Sequence, residues 1–172
     1  MPACRILQLG DPLLWQMSAE VTDFDSPRLK SIISDLDDTL AEFRRTHGFG
    51  RGIAAPQIGE LSRVIFVRMP DGSFDGPMIN PTIIRQSAQR KELWDNCFSF
   101  PDLVVKVSRA IDITVAYQDT SGRPVTIDVS GDFSELLQHE IDHLDGILAT
   151  DRAVSAHAIM TRDEWIRQGS LK

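Results

Sequence analysis

Two histidines and a glutamate stand in the stretch Gln138-His139-Glu140-Ile141-Asp142-His143-Leu144-Asp145-Gly146, in the order His-Glu-x-x-His. On an α-helix, residues four apart lie about 40° apart around the axis, so His139 and His143 can bind one divalent metal side by side. Glu140, next to the first histidine, can reach a water on that metal and take its proton. Two histidines leave such a site incomplete. A hydrolytic metal site usually has three protein ligands and an open position for water.

These residues must be carried by a helix, and the flanks predict one over residues 133–145. Asp132 is a good N-cap with Glu135 three residues later, as in a capping box, and Gly146 can take the left-handed position after the last turn. Phe133, Leu136, Leu137, Ile141 and Leu144 share one arc, with the histidines at its edge and Glu140 inside it. A carboxylate on a buried arc costs several kcal/mol unless it is neutral, paired or beside a cation, and a metal between the histidines supplies the cation. Gln138, Asp142 and Asp145 point away from that arc, toward solvent or salt bridges, with Asp142 also a candidate to support the ligands from behind.

For the third ligand the chain offers Cys97, His47, His157, Glu164 and the remaining acids. A metzincin-type extension, whose glycine Gly146 would match, needs a histidine at 149, where this chain has alanine. A thermolysin-like arrangement needs a downstream glutamate; Glu164 is far enough along, but Thr161-x-x-Glu164 is more simply a capping box for a short helix through Arg167. Cys97 lies in the aromatic-rich Trp94-Asp95-Asn96-Cys97-Phe98-Ser99-Phe100-Pro101, where an inert buried thiol is the plainer reading. Spacing alone does not choose among them.

The rest of the chain bounds the function. At 172 residues and 42% hydrophobic content, residues 1–172 suit one domain with a real core. No apolar run approaches the ~20 residues of a membrane span, and the first fifteen residues lack the pattern of a secretory signal, so a cytoplasmic protein is expected. Cys4 and Cys97 are expected to be thiols. A net charge of −7 without a Lys/Arg cluster argues against direct nucleic-acid affinity and for small or peptidic substrates.

A helix is expected from Ser26 as cap and Pro27 at the first position, with Leu29, Ile33, Leu36, Leu40 and Phe43 at helical spacing until Gly48; Asp35, Asp37 and Asp38 form its solvated face. The glycine-rich stretch 48–57 that follows lets backbone approach a ligand closely and ends in the Gln57 amide, although by itself it reads as a turn between helix and strand. Strands are expected over 63–69, 77–84 and 103–107, with an alternating pair at 111–117 and 125–129 around the turn 119–122. Strands first and the metal helix after them predict an α+β fold, with antiparallel or mixed β-sheets packed around a central metal-binding helix.

Three separated segments resemble the peptide deformylase family, in that family's order. Gly50-Arg51-Gly52-Ile53-Ala54-Ala55-Pro56-Gln57 is similar to GxGLAAPQ, Asp95-Asn96-Cys97-Phe98-Ser99 to EGCLS, and Gln138 to Gly146 to QHExDHLxG. Lesser echoes are the start from Ile6 to Val21, Asn80-Pro81 and Arg109. The resemblance implies Cys97, His139 and His143 as metal ligands, Fe²⁺ as the common metal with Zn²⁺, Ni²⁺ or Co²⁺ as substitutes, and Glu140 as the base. It implies Gln57 and the Phe98 backbone N–H as oxyanion donors, and Gly50, Arg51, Gly52 and Ile53 as the substrate-binding loop. The implied activity is hydrolysis of a linear amide other than a peptide bond: removal of the N-formyl group from formyl-methionine on nascent peptides, at the ribosome. Alternatives are another N-formyl compound, or metal binding without turnover. This chain departs from the family in Asp95, Asn96 and Phe98, in Arg51 where Val or Ile is usual, and in Trp15 where arginine is frequent.

Overall fold

The computed structural model describes residues 3–169. In chain order it has α1 (Pro27–His47), β1 (Gly52–Ala54), β2 (Val64–Arg68), β3 (Asp75–Gln86), β4 (Arg90–Asp95), β5 (Leu103–Ala110), β6 (Asp112–Gln118), β7 (Pro124–Ser130), α2 (Gly131–Leu144), β8 (Ile159–Thr161) and α3 (Arg162–Arg167). The strands form a five-stranded sheet in the order β1-β2-β3-β6-β7 and a three-stranded sheet in the order β4-β5-β8. Every ladder pair is antiparallel, which places the fold in the α+β class.

α1 forms as its sequence dictates. The Ser26 side chain accepts from the Arg28 N–H, Pro27 takes the first position, and Gly48 ends the helix in the left-handed region. Its buried stripe packs on one face of the larger sheet: Leu36, Leu40 and Phe43 meet Ile53, Val64, Phe66 and Ile79. The other face of β2 carries Ile65 and Val67, which meet Leu137, Ile141 and Leu144 of α2. β2 is therefore apolar on both sides, as a strand between two helices must be. The smaller sheet closes over the far side of α2, where the Gln138 amide bonds both the N–H and the C=O of Ala110 at 2.9 Å.

That contact corrects one expectation: Gln138 is buried, because β5 runs along the flank that a lone helical wheel leaves to solvent. The start of α2 also differs. It begins at Gly131 behind Ser130, two residues before the expected cap, and Glu135 spends its carboxylate on Arg51 instead of a capping box. α3 does start at Thr161, whose hydroxyl accepts from the Glu164 N–H.

The segment before α1 clasps the site from outside. Leu7 N–H donates to the Gln57 carbonyl and Leu9 N–H to the Ser99 carbonyl, both at 2.8 Å, and the Gln8 side chain donates to the Phe98 carbonyl. Ser18 N–H then donates to the Leu144 carbonyl at the end of α2. Gly146 permits the approach: its φ is +69°, and a Cβ there would meet the Trp15 carbonyl oxygen at 2.6 Å.

Candidate active site

α2 carries His139 and His143 on its buried flank, and the turn after β4 brings Cys97 to them. Cys97 Sγ lies 3.2 Å from His143 Nε2, which lies 3.2 Å from His139 Nε2. The three ligand atoms fall within 4.8 Å of one another, and all three residues are buried. A tetrahedral metal with bonds of about 2.0–2.3 Å to nitrogen and sulfur holds its ligands about 3.3–3.6 Å apart, so the donor set has the spacing of a metal site. The buried Glu140 Oε2 has no hydrogen-bond partner among the described residues, as fits a group placed to meet something other than protein.

The residues behind the ligands fix their orientation. Asp95 Oδ2 accepts from His139 Nδ1 at 2.9 Å, which turns the lone pair of Nε2 toward the other two donors. The same oxygen accepts from Arg109 at 3.1 Å. Arg109 also donates to Asp142, whose other oxygen accepts from Arg152 at 2.8 Å. Charge thus alternates from the site to the surface through Asp95, Arg109, Asp142 and Arg152. Sequence reasoning gave Asp142 a supporting place but assigned none to Asp95 or Arg109. One signal was available: Asp95 and Cys97 stand two apart, the spacing that puts side chains on one side of an extended chain.

Burial works against charge on Asp95, but the adjoining His139 and Arg109 outweigh it and bring its pKa down to about 2. For His139, burial again disfavours charge, yet Asp95 and Cys97 raise its pKa well above the ordinary value. Burial and then the neighbouring His139 hold His143 well below it. Glu140 is pushed up to about 7, mainly by burial and further by Asp95, against the pull of His139. A carboxyl near 7 can both accept and return a proton at neutral pH.

The glycines of the stretch 48–57 explain how the base fits. A Cβ on Gly52 would come within 2.8 Å of Glu140 Oε1. Gly50, at φ +127°, lets the Phe98 ring lie where a Cβ would be 2.5 Å from it. The segment read as a turn contains β1, the edge strand of the larger sheet, followed by a short 3₁₀ turn at Ala55–Ile58. Gln57 in that turn accepts from Ala54 N–H and donates Nε2 to Cys97 Sγ at 3.4 Å and to Ser99 Oγ at 3.2 Å.

A cavity of about 420 Å³ opens over these groups, lined among others by Gly50, Arg51, Gly52, Gln57, Cys97, Phe98, His139 and Glu140. Ile53 does not line it; its side chain is fully buried in the core shared by α1 and β2. Arg51 reaches from the loop to Glu135 on α2, at 2.7 Å, and donates to the Asp132 carbonyl. Glu164 is outside the site, with its carboxylate held by Arg167 and Gln168. No helix among the described residues is long and apolar enough to cross a membrane.

The family model for polypeptide deformylase matches residues 3–158. The peptide deformylase of Pelotomaculum thermopropionicum is 37% identical over 164 residues, covering 95% of this chain and 100% of that protein. The peptide deformylase of Brucella suis is 36% identical over 149 residues, 85% of this chain and 82% of its own. The crystal structure of peptide deformylase from Thermotoga maritima superposes with a TM-score of 0.80 at 34% identity, covering 90% of this chain and 100% of that one.

Proposed function

This chain belongs to the polypeptide deformylase family, and on that premise we propose that it removes the N-formyl group from the formyl-methionine of nascent peptides, releasing formate. The observation that carries the reading is the convergence of Cys97 Sγ, His139 Nε2 and His143 Nε2 beside a buried, partnerless Glu140 oxygen. We assign Cys97, His139 and His143 as the ligands of the family's catalytic metal. Fe²⁺ is the proposed native metal, with Zn²⁺, Ni²⁺ or Co²⁺ able to replace it, since one thiolate and two imidazoles suit all four. A divalent cation bound there supplies Lewis acidity, lowering the pKa of water and polarising the formyl carbonyl.

The chain's own groups do the rest. Glu140 takes the proton of the attacking water and later delivers it to the leaving amine, a double task that a pKa near neutrality favours. Gln57 Nε2 and the Phe98 backbone N–H are the donors for the negative charge that develops on the formyl oxygen. Gln57 also steadies the sulfur of Cys97, as does the Ser99 N–H at 3.4 Å. Asp95 keeps His139 in the tautomer that ligates. The Gly50–Gly52 backbone leaves room for the substrate, with Arg51 in the cavity wall. We place the reaction in the cytoplasm, on peptides emerging from the ribosome.

The test is formate release from a panel of formylated peptides by protein prepared anaerobically with iron. Turnover of formyl-Met peptides is expected. Stoichiometrically loaded protein that releases no formate from any of them would sink the assignment and leave a metal-binding role.

A further inference from the structure

One side of the cavity is cationic in a way that the chemistry above does not use. Arg44, half-buried near the end of α1, lines the cavity beside Gly50, and no carboxylate pairs with it among the described residues. Arg162, at the start of α3, lies with its guanidinium carbon 4.2 Å from the centre of the Phe49 ring, which lines the same cavity. It too has no ion pair among the described residues. Arg51 differs, because Glu135 neutralises it. In a chain of net charge −7, Arg44 in the cavity wall and Arg162 stacked on the wall residue Phe49 are thus two cations without a counter-charge among the described residues.

Their distance from the base sets what they can touch. A Cβ on Gly52 would meet Glu140, and one on Gly50 would lie 3.5 Å from Arg44 Cγ. Those two positions are at most about 7 Å apart along the chain. A peptide extended beside the edge strand β1 advances about 3.3 Å per residue. With its formyl group at Glu140, its second or third residue comes level with Arg44.

We propose that Arg44 in the cavity wall, with Arg162 behind it on the Phe49 ring, forms a carboxylate-binding subsite of the formyl-peptide site. The carboxylate is either the free C-terminus of a short substrate or an Asp or Glu side chain at its second or third residue. A guanidinium presents a planar fork of donors that matches a carboxylate, and stacking on Phe49 holds the fork of Arg162 in place. The inference rests on the deformylase reading above.

The experiment compares formate release from formyl-Met-Ala-Ser, its C-terminal amide, and the amides of formyl-Met-Asp-Ser and formyl-Met-Ala-Asp, using the anaerobic iron protein. The carboxylate-bearing peptides should exceed the neutral amide by about five- to tenfold in kcat/KM, mainly through KM, and lose that advantage at about 0.5 M salt. The free-terminus and internal-Asp peptides separate the two sources. In Arg44→Gln and Arg162→Gln, with unchanged Tm as the check on folding, the acid-to-amide ratio should fall toward one. Equal kcat/KM for all four peptides with the wild-type protein overturns the subsite while leaving the deformylase reading intact. If no peptide yields formate, that reading fails separately, and calorimetric Kd values for Met-Ala-Ser and its amide still decide the subsite: equal affinities overturn it.

Discussion

Arg51, between Gly50 and the first residue of β1, holds Glu135 of α2 at 2.7 Å, one helical turn ahead of the ligand His139. Both side chains are less than a third exposed, so neither charge is well solvated without the other. Burial raises the pKa of Glu135, and the Arg51 charge acts against that rise. Arg51→Ile alone should therefore lower stability by about 1–2 kcal/mol, while adding Glu135→Leu should recover most of the loss, a coupling that a double-mutant cycle in urea measures. The doubly substituted protein, whose wall becomes apolar, should also show several-fold higher kcat/KM on formyl-Met peptides. Additive stability effects would mean that the pair contributes nothing beyond its parts.

Glu140→Gln should retain the metal and lose turnover by at least about a hundredfold, because the base stands outside the ligand set. Cys97→Ala should lose metal and activity together. Metal analysis beside formate assays separates the two, and tightly bound stoichiometric metal in Cys97→Ala would move the third ligand elsewhere.

Asp95→Asn keeps the shape behind His139 but removes the charge that its ring N–H addresses. Metal affinity, measured by competition with a chelator, should fall about 10- to 100-fold. An unchanged affinity would show that Arg109 and the surrounding packing suffice to hold the ring.

Gly52→Ala tests the close approach of loop and base. The backbone there is ordinary β structure, so the added methyl strains only the contact with Glu140, and the carboxylate must move. A fall in kcat of about tenfold or more is expected with a change in Tm of only a few degrees. A large Tm loss with unchanged kcat would instead make Gly52 a packing residue.

In the β6–β7 turn, Asp119 accepts from the Arg123 and Ser121 N–H groups, and these bonds, with the Arg123 side chain, lower its pKa below 3.8. A carboxyl depressed in the fold adds stability above its unfolded pKa and loses it as pH falls through the folded one. Thermal melting of Asp119→Asn should thus sit below the wild type at pH 7 and converge with it in acid below pH 3.8. A Tm gap that does not narrow there would contradict the linkage.

Local signals made α1 and the β6–β7 hairpin legible in the sequence: Ser26, Pro27 and Gly48 mark one, and the alternation from Ile113 to Val129 marks the other. What failed was decided at long range. Asp132 and Glu135 spell a capping box that Ser130 does not, but Glu135 is drawn to an arginine 84 residues earlier. A helical wheel alone sends Gln138 to solvent because it contains no β5. β4 has no apolar alternation to read, since Arg90, Lys91 and Glu92 are exposed, and β1 begins at the last glycine of a stretch that resembles a turn. The HExxH pair and its base were readable from helical geometry alone. Cys97 was not, since its approach to His143 across 46 residues has no period to read; only the family resemblance pointed to it.

The clasp formed by residues 7–18 also bears on the order of events in synthesis. These residues are made before α1, yet their partners are carbonyls at Gln57, Phe98, Ser99 and Leu144, with Gln8 and Phe98 separated by 90 positions. Contacts so distant in sequence form late. The growing chain must therefore carry this segment without its full set of anchors until α2 has been made, and the three motifs become locked together only then.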